Sequence, residues 1–131
     1  MAKKVKIDEA ASTIVKMLSE WSQDVADATK KAATETGKET VQDLRQTSPR
    51  RPNGGAYANS WSYKKLEEDR YGVQGVVYNK KHYRLTHLLE KGHANARGGG
   101  RTPAHPHIKP AEDRAIASFE EKTRKYINDV E

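Results

Sequence analysis

From Ile7 onward, apolar or small side chains recur at Ala11, Ile14, Leu18, Trp21, Val25, Ala28 and Ala32, in alternating steps of four and three. That spacing marks one face of an α-helix and a heptad seam. Asp8 suits the N-cap and Glu9 the positive helix start. The seam shifts register at Gly37, resumes at Val41 and Leu44, and ends at Ser48-Pro49, because a residue before proline avoids the helical region. The N-terminal segment 1–47 is therefore predicted to be one long helix, about 60 Å from end to end at ~1.5 Å per residue. A rod of that length outruns a small globule. It must bend, with Gly37 the natural place, or project and pack on another chain. Leu18 and Trp21 are expected in the intramolecular core, with the alanine half free to form a close subunit contact.

What could pack on such a helix is limited. Leu, Ile, Val and Phe together account for 20 of the 131 residues, and the rest of the apolar supply is mostly 15 Ala, 6 Tyr and 2 Trp. One domain spanning 1–131 with a thin core is expected, relying on neighbouring subunits to complete its burial. There is no cysteine, so disulfides, thiolate metal sites and cysteine nucleophiles are excluded. No apolar run approaches the roughly 20 residues of a membrane span. The basic start Met1-Ala2-Lys3-Lys4 leads into Asp8-Glu9 and not into an apolar stretch, which predicts synthesis in the cytoplasm without a secretory leader.

The remaining segments alternate in period. Residues 48–110 hold a Pro/Asn/Gly loop, a strand from Tyr57 to Lys65, a polar turn at Glu67-Glu68-Asp69-Arg70, a second strand from Val73 to Tyr78, a short helix from Tyr83 to Glu90, and a glycine-rich loop from His93. Leu85, Leu88 and Leu89 share one face of the short helix, and Gly92 sits where a left-handed helix terminator belongs. Residues 111–131 read as a C-terminal helix with Pro110 at its first position and a face of Ile116, Phe119, Thr123, Tyr126 and Val130. The predicted class is α+β: long N-terminal helix, small antiparallel sheet, short central helix, flexible Gly-rich loop, C-terminal helix. Trp61, Tyr63 and Tyr78 are expected to pack the sheet on the first helix.

The chain carries 24 Lys and Arg against 18 Asp and Glu, a formal net charge of +6. Residues 1–47 balance to zero, residues 48–110 carry +8 and residues 111–131 carry −2. A basic middle attracts phosphate or acidic protein, although scattered doublets are also ordinary solvated charge. With its Tyr and Trp it permits a small nucleic-acid-binding protein as the alternative reading. Five histidines at positions 82, 87, 93, 105 and 107 fall within 26 residues. His87, Glu90 and His107 could in principle hold zinc or manganese, but no His-Glu-x-x-His is present and no metal is assigned. A metal nuclease would need paired carboxylates, and the middle segment offers only Glu67, Glu68, Asp69 and Glu90. No nucleophile elbow, Walker loop or dinucleotide fingerprint occurs. No catalytic residue and no cofactor is therefore assigned.

Three blocks carry a resemblance. They are Ser48-Pro49-Arg50-Arg51 with Gly55-Ala56-Tyr57-Ala58-Asn59-Ser60-Trp61, then His87-Leu88-Leu89-Glu90-Lys91-Gly92-His93-Ala94, then Gly99-Gly100-Arg101 with Pro106-His107-Ile108-Lys109-Pro110-Ala111. In this order, between a long first helix and a last helix, they resemble the tail-completion or head–tail joining proteins of long-tailed bacteriophages, the gene-ten-product-like minor tail proteins. The likeness covers residues 48 to about 116. It departs at His107, where such proteins often carry an aromatic, and in the longer glycine-rich loop.

The resemblance implies a structural, non-enzymatic virion protein of the neck. It would form a ring of six copies between the head connector or stopper and the tail tube or tail terminator. DNA would pass nearby without specific binding, and no membrane would be involved. Gly55, Trp61, His87, Leu88, Leu89, Glu90, Gly92, Pro106 and Pro110 are the motif residues it implies. Arg50, Arg51, Arg97, Arg101, His105 and His107 are the expected partner-facing set, because many phosphate contacts in a lumen would hinder DNA passage.

Overall fold

The computed structural model describes residues 7–50, 54–95 and 99–130, with side chains from residue 12 onward. The elements run α1 (Ile7–Thr47), α2 (Ala56–Asn59), β1 (Trp61–Glu68), β2 (Val73–Asn79), a 3-10 turn (Tyr83–Leu85), α3 (Thr86–Lys91), β3 (His93–Ala94), β4 (Arg101–Thr102) and α4 (Ile108–Asn128). The class is α+β as expected, with two small antiparallel sheets, β1-β2 and β3-β4. No helix among the described residues is long and apolar enough to cross a membrane.

α1 is a single helix of 41 residues that runs through Gly37 without a break, about 62 Å at ~1.5 Å per residue. Gly37 serves close packing instead. A Cβ there would lie 2.5 Å from Cε2 of Tyr63, and Gly75 on β2 crowds the same ring from the neighbouring strand, near its hydroxyl. Two glycines thus make the slot that seats Tyr63 against the helix. Gly37→Ala gains about 1 kcal/mol of helix propensity but must displace a ring pinned on both sides, at about 1–3 kcal/mol. The net expectation is a destabilisation of about 1 kcal/mol, read from the urea midpoint. A more stable Gly37→Ala would show that the slot is slack.

α4 lies antiparallel on the C-terminal two-thirds of α1. Arg114 Nε and Nη2 donate to the two oxygens of Asp43 at 2.7 and 2.8 Å. Glu39 receives Lys122 Nζ at 2.6 Å and Ser118 Oγ at 2.9 Å. Glu35 accepts from the Tyr126 hydroxyl, and Lys31 sits 4.3 Å from the centre of that ring. Residues 31, 35, 39 and 43 step by one helical turn, as do 114, 118, 122 and 126, so the two rows mesh as rungs. Exposed pairs of this kind contribute little each; they set the register. Between the helices lie alanines: Ala32 is wholly buried, with Ala28, Thr36 and Ala111 also buried.

This inverts one expectation. The alanine half of α1 is the intramolecular seam, and the bulky half is outside it: Ile14, Leu18 and Trp21 are 57, 59 and 58% exposed. The reason is length. α4 has 21 residues against 41, and its end meets α1 around Asp24–Lys31. On the other side the β1-β2 turn stops at Gln23, whose amide donates to the Arg70 carbonyl at 2.9 Å and accepts from Arg70 Nε at 2.8 Å. Beyond Gln23 nothing among the described residues reaches far enough to cover the stripe.

Other corrections follow from register. Residues 56–59 form a helical turn and not strand, and β1 starts at Trp61 and runs on through Glu68, leaving Asp69–Gly72 as the turn. Its Oδ1 accepts from the Tyr71 and Gly72 N–H groups at 2.9 and 2.8 Å, and these donors hold the Asp69 carboxyl below its ordinary range. Tyr78 pairs with Ser62, and Tyr63 with Val77. Side chains alternate faces along a strand, so Trp61 and Tyr63 face α1 while Tyr78 faces away, under Lys64. Leu85 and Ile116, each expected on the apolar face of its helix, are 38 and 51% exposed. α4 begins at Ile108, which moves Pro110 from its first position to its third.

The core is as thin as composition demanded. It joins Val41, Leu44, Tyr57, Trp61 and Ala111, with Tyr63, Val77, Leu89 and Ile108 packed around it.

Candidate functional site

The motif residues converge where the C-terminal end of α1, the short helices α2 and α3, and the start of α4 meet. Ser48, where proline stops α1, accepts the Trp61 indole N–H at 2.8 Å. Arg45, one turn earlier, aims Nε and Nη2 at the Trp61 carbonyl, at 3.2 and 2.9 Å. Trp61 is thereby held at ring and backbone. Its ring meets Tyr57 edge-on at 5.8 Å and His107 at 6.3 Å.

Glu90 is the hub. Its Oε1 accepts the His107 and Ile108 backbone N–H groups, both at 2.7 Å, and its Oε2 accepts the Lys109 N–H at 2.9 Å. A helix start leaves its first N–H groups without helical partners. Here a side chain 17 to 19 residues upstream in sequence satisfies three of them. Pro110 has no N–H to satisfy, and Ala111 donates to the His107 carbonyl at 3.2 Å, opening the regular ladder. The carboxylate also complements the positive helix end. Burial raises the Glu90 pKa, but the three backbone donors and the His107 imidazole outweigh it and leave the group below its ordinary value.

His107 is 2% exposed. Its Nδ1 faces two acceptors, the His105 carbonyl at 2.6 Å and Glu90 Oε1 at 3.1 Å, so Nδ1 carries a proton. Nε2 is 2.7 Å from the Tyr57 hydroxyl, which donates to it when the ring is neutral. Burial, then the Glu90 charge, push the Tyr57 phenol up to about 12. Both Glu90 oxygens and both His107 nitrogens are occupied by the chain's own groups. The cluster is a staple tying α2, α3 and α4 together. Among the described residues no group of three or more His, Asp or Glu could hold a metal ion.

Gly92 ends α3 with φ 73 and ψ 176. The positive φ is as expected, but ψ lies far from the left-handed helical region, in a conformation essentially reserved for glycine. It turns the chain so that His105 N–H reaches the Leu89 carbonyl at 2.7 Å. Gly55 leaves room for the Arg50 guanidinium, which donates to the Arg45 carbonyl at 2.7 Å at the end of α1. Leu89 packs on the core, Leu88 is half-buried, and His87 and Pro106 are exposed.

Of the expected partner-facing set, Arg101 and His105 are exposed, Arg50 is exposed but hydrogen-bonded within the chain, and His107 is buried. Arg51 and Arg97 lie outside the described residues. The reading of sequence missed the capping role of Glu90. Its signal was present: a lone acid among basic residues, upstream of a helix start that lacks a good capping side chain.

No curated protein and no solved structure matches the chain. A family model described as "Bacteriophage HK97-gp10, putative tail-component" matches residues 8–92, from the start of α1 to the glycine that ends α3. With well over half its length matched, and with the first resemblance block and the second as far as Gly92 inside that span, the chain belongs to the HK97-gp10-like family of bacteriophage tail components.

Proposed function

We propose that this tail component is a neck protein that completes the tail or joins it to the head, acting over 1–131 as one subunit of a six-membered ring between the head connector and the tail tube. Family membership carries the reading. The core supports it: five of the nine buried apolar residues among those described are alanines, while five bulky side chains between Ile14 and Trp21 stand in solvent. A subunit built this way gains most of its further burial from neighbours. Its role is structural and its place is the virion. Arg101 and His105, with Arg50, face adjoining virion proteins, and DNA passes without specific recognition.

Inactivating the gene in a phage that encodes it is expected to leave filled heads and separate tails in electron micrographs, with joining restored by the protein in trans. Joined particles in its absence would refute the neck role. Arg101→Glu with His105→Glu is expected to lower the joined fraction at least tenfold, and unchanged joining would remove those two residues from the interface.

A further inference from the structure

We infer that the projecting N-terminal part of α1 docks on the basic surface around the 3-10 turn of a second copy of this chain, in a head-to-tail contact that propagates from subunit to subunit. The inference rests on the ring reading above and supplies the surfaces that reading lacks.

Ile14, Leu18 and Trp21 continue the seam that α4 covers further along, since Val25 and Ala28 follow at the same helical spacing. Val15 and Met17 flank them, at 66 and 63% exposure. From Ile7 to Ser22 this arm extends about 24 Å past the α4 and hairpin contacts, at ~1.5 Å per residue. A contiguous apolar stripe on a projecting rod marks an interaction surface.

Charge selects the occupant. Lys16, Glu20 and Asp24, each one turn apart, border the stripe as a net acidic edge, and none has an ion-pair partner among the described residues. Pairing two arms with each other would set one net acidic edge against another. The complementary surface lies on the same chain but elsewhere: Lys80, Lys81 and Arg84 are exposed and likewise have no carboxylate partner among the described residues. Tyr83 and Leu85 adjoin Arg84, 61 and 38% exposed, the Tyr83 ring centre lying 5.7 Å from the Arg84 guanidinium. An apolar stripe with a net acidic edge on one surface meets apolar groups flanked by bases on another. Two different patches make a heterologous contact, the kind that closes into rings.

The absence of cysteine makes a clean test. Leu18→Cys and Leu85→Cys variants of the full chain are mixed and treated with a short bismaleimide. A mixed crosslinked dimer that neither variant forms alone supports the docking. A Leu18→Cys homodimer means that the arms pair with each other and overturns it, as does the lack of any crosslink.

In parallel, sedimentation of Glu20→Lys/Asp24→Lys is expected to show self-association weakened at least tenfold in low salt. Adding Lys80→Glu/Lys81→Glu/Arg84→Glu should restore it, and failure of that rescue overturns the pairing. An oligomer without the mixed crosslink removes this docking and leaves the ring standing. A chain that is monomeric at every concentration removes the docking, whereas the neck role falls only if joining proceeds without the protein.

Discussion

Glu90→Ala is expected to lower the unfolding free energy by about 3 kcal/mol, because three backbone N–H groups at the start of α4 lose their acceptor at once and a buried imidazole loses its anionic neighbour. Solvent can reach the freed helix end, which keeps the loss from growing larger. Glu90→Gln keeps one amide oxygen as an acceptor, so about half of that loss is expected.

The effect carries a pH signature. The folded chain holds the Glu90 carboxyl below its ordinary value of 4.5, so folding favours the carboxylate. Its contribution is complete above about pH 4.5 and disappears as pH falls through the lower folded value. The wild type should therefore lose stability on acidification more steeply than Glu90→Gln. Urea unfolding from pH 7 to pH 3 measures both terms. Equal midpoints at pH 7 together with superimposable acid limbs would show that Glu90 does not staple α3 to α4.

Gly92→Ala should cost about 4 kcal/mol. Two independent causes combine. The conformation at φ 73 and ψ 176 is strained for any residue with a Cβ, at about 1–3 kcal/mol. The added carbon would also lie 2.5 Å from the Thr102 carbonyl oxygen and 3.0 Å from the Ala104 nitrogen. Both are backbone atoms that cannot swing aside as a side-chain tip would, adding about 1–3 kcal/mol of overpacking. Gly54→Ala is the matched control, since nothing lies within 4 Å of a Cβ there; it should change stability by less than about 0.5 kcal/mol. If the two variants melt together, the turn after α3 is not the constraint described.

Much of this fold was legible along the chain because the signals were local. Period fixed the type of each main element, proline and glycine marked the ends, and Leu89, Trp61 and Gly92 took the positions their neighbours in sequence suggested. The failures share a different origin. Gly37 reads as a helix breaker in isolation, and only the arrival of Tyr63 from β1 turns it into a slot. Tyr78 was grouped with Trp61 and Tyr63 by its chemistry, but strand pairing put it on the opposite face. Tyr57 looked like the start of a strand, whereas Asn79 Nδ2 reaches its carbonyl at 2.9 Å and fastens it into a helical turn.

The α1–α4 rungs and the Glu90 cap show the same division most clearly. Each acid and each base sits on a helix that its own stretch of residues specifies, but Asp43 and Arg114 are 71 positions apart, and Glu90 and Ile108 are 18. Periodicity, punctuation and composition set helix, strand and turn and made a meagre interior unavoidable. Which face of α1 would be covered depended on how far α4 and the hairpin reach along it. That reach is a length in space, summed over distant elements, and it left the bulkiest part of the helical stripe uncovered.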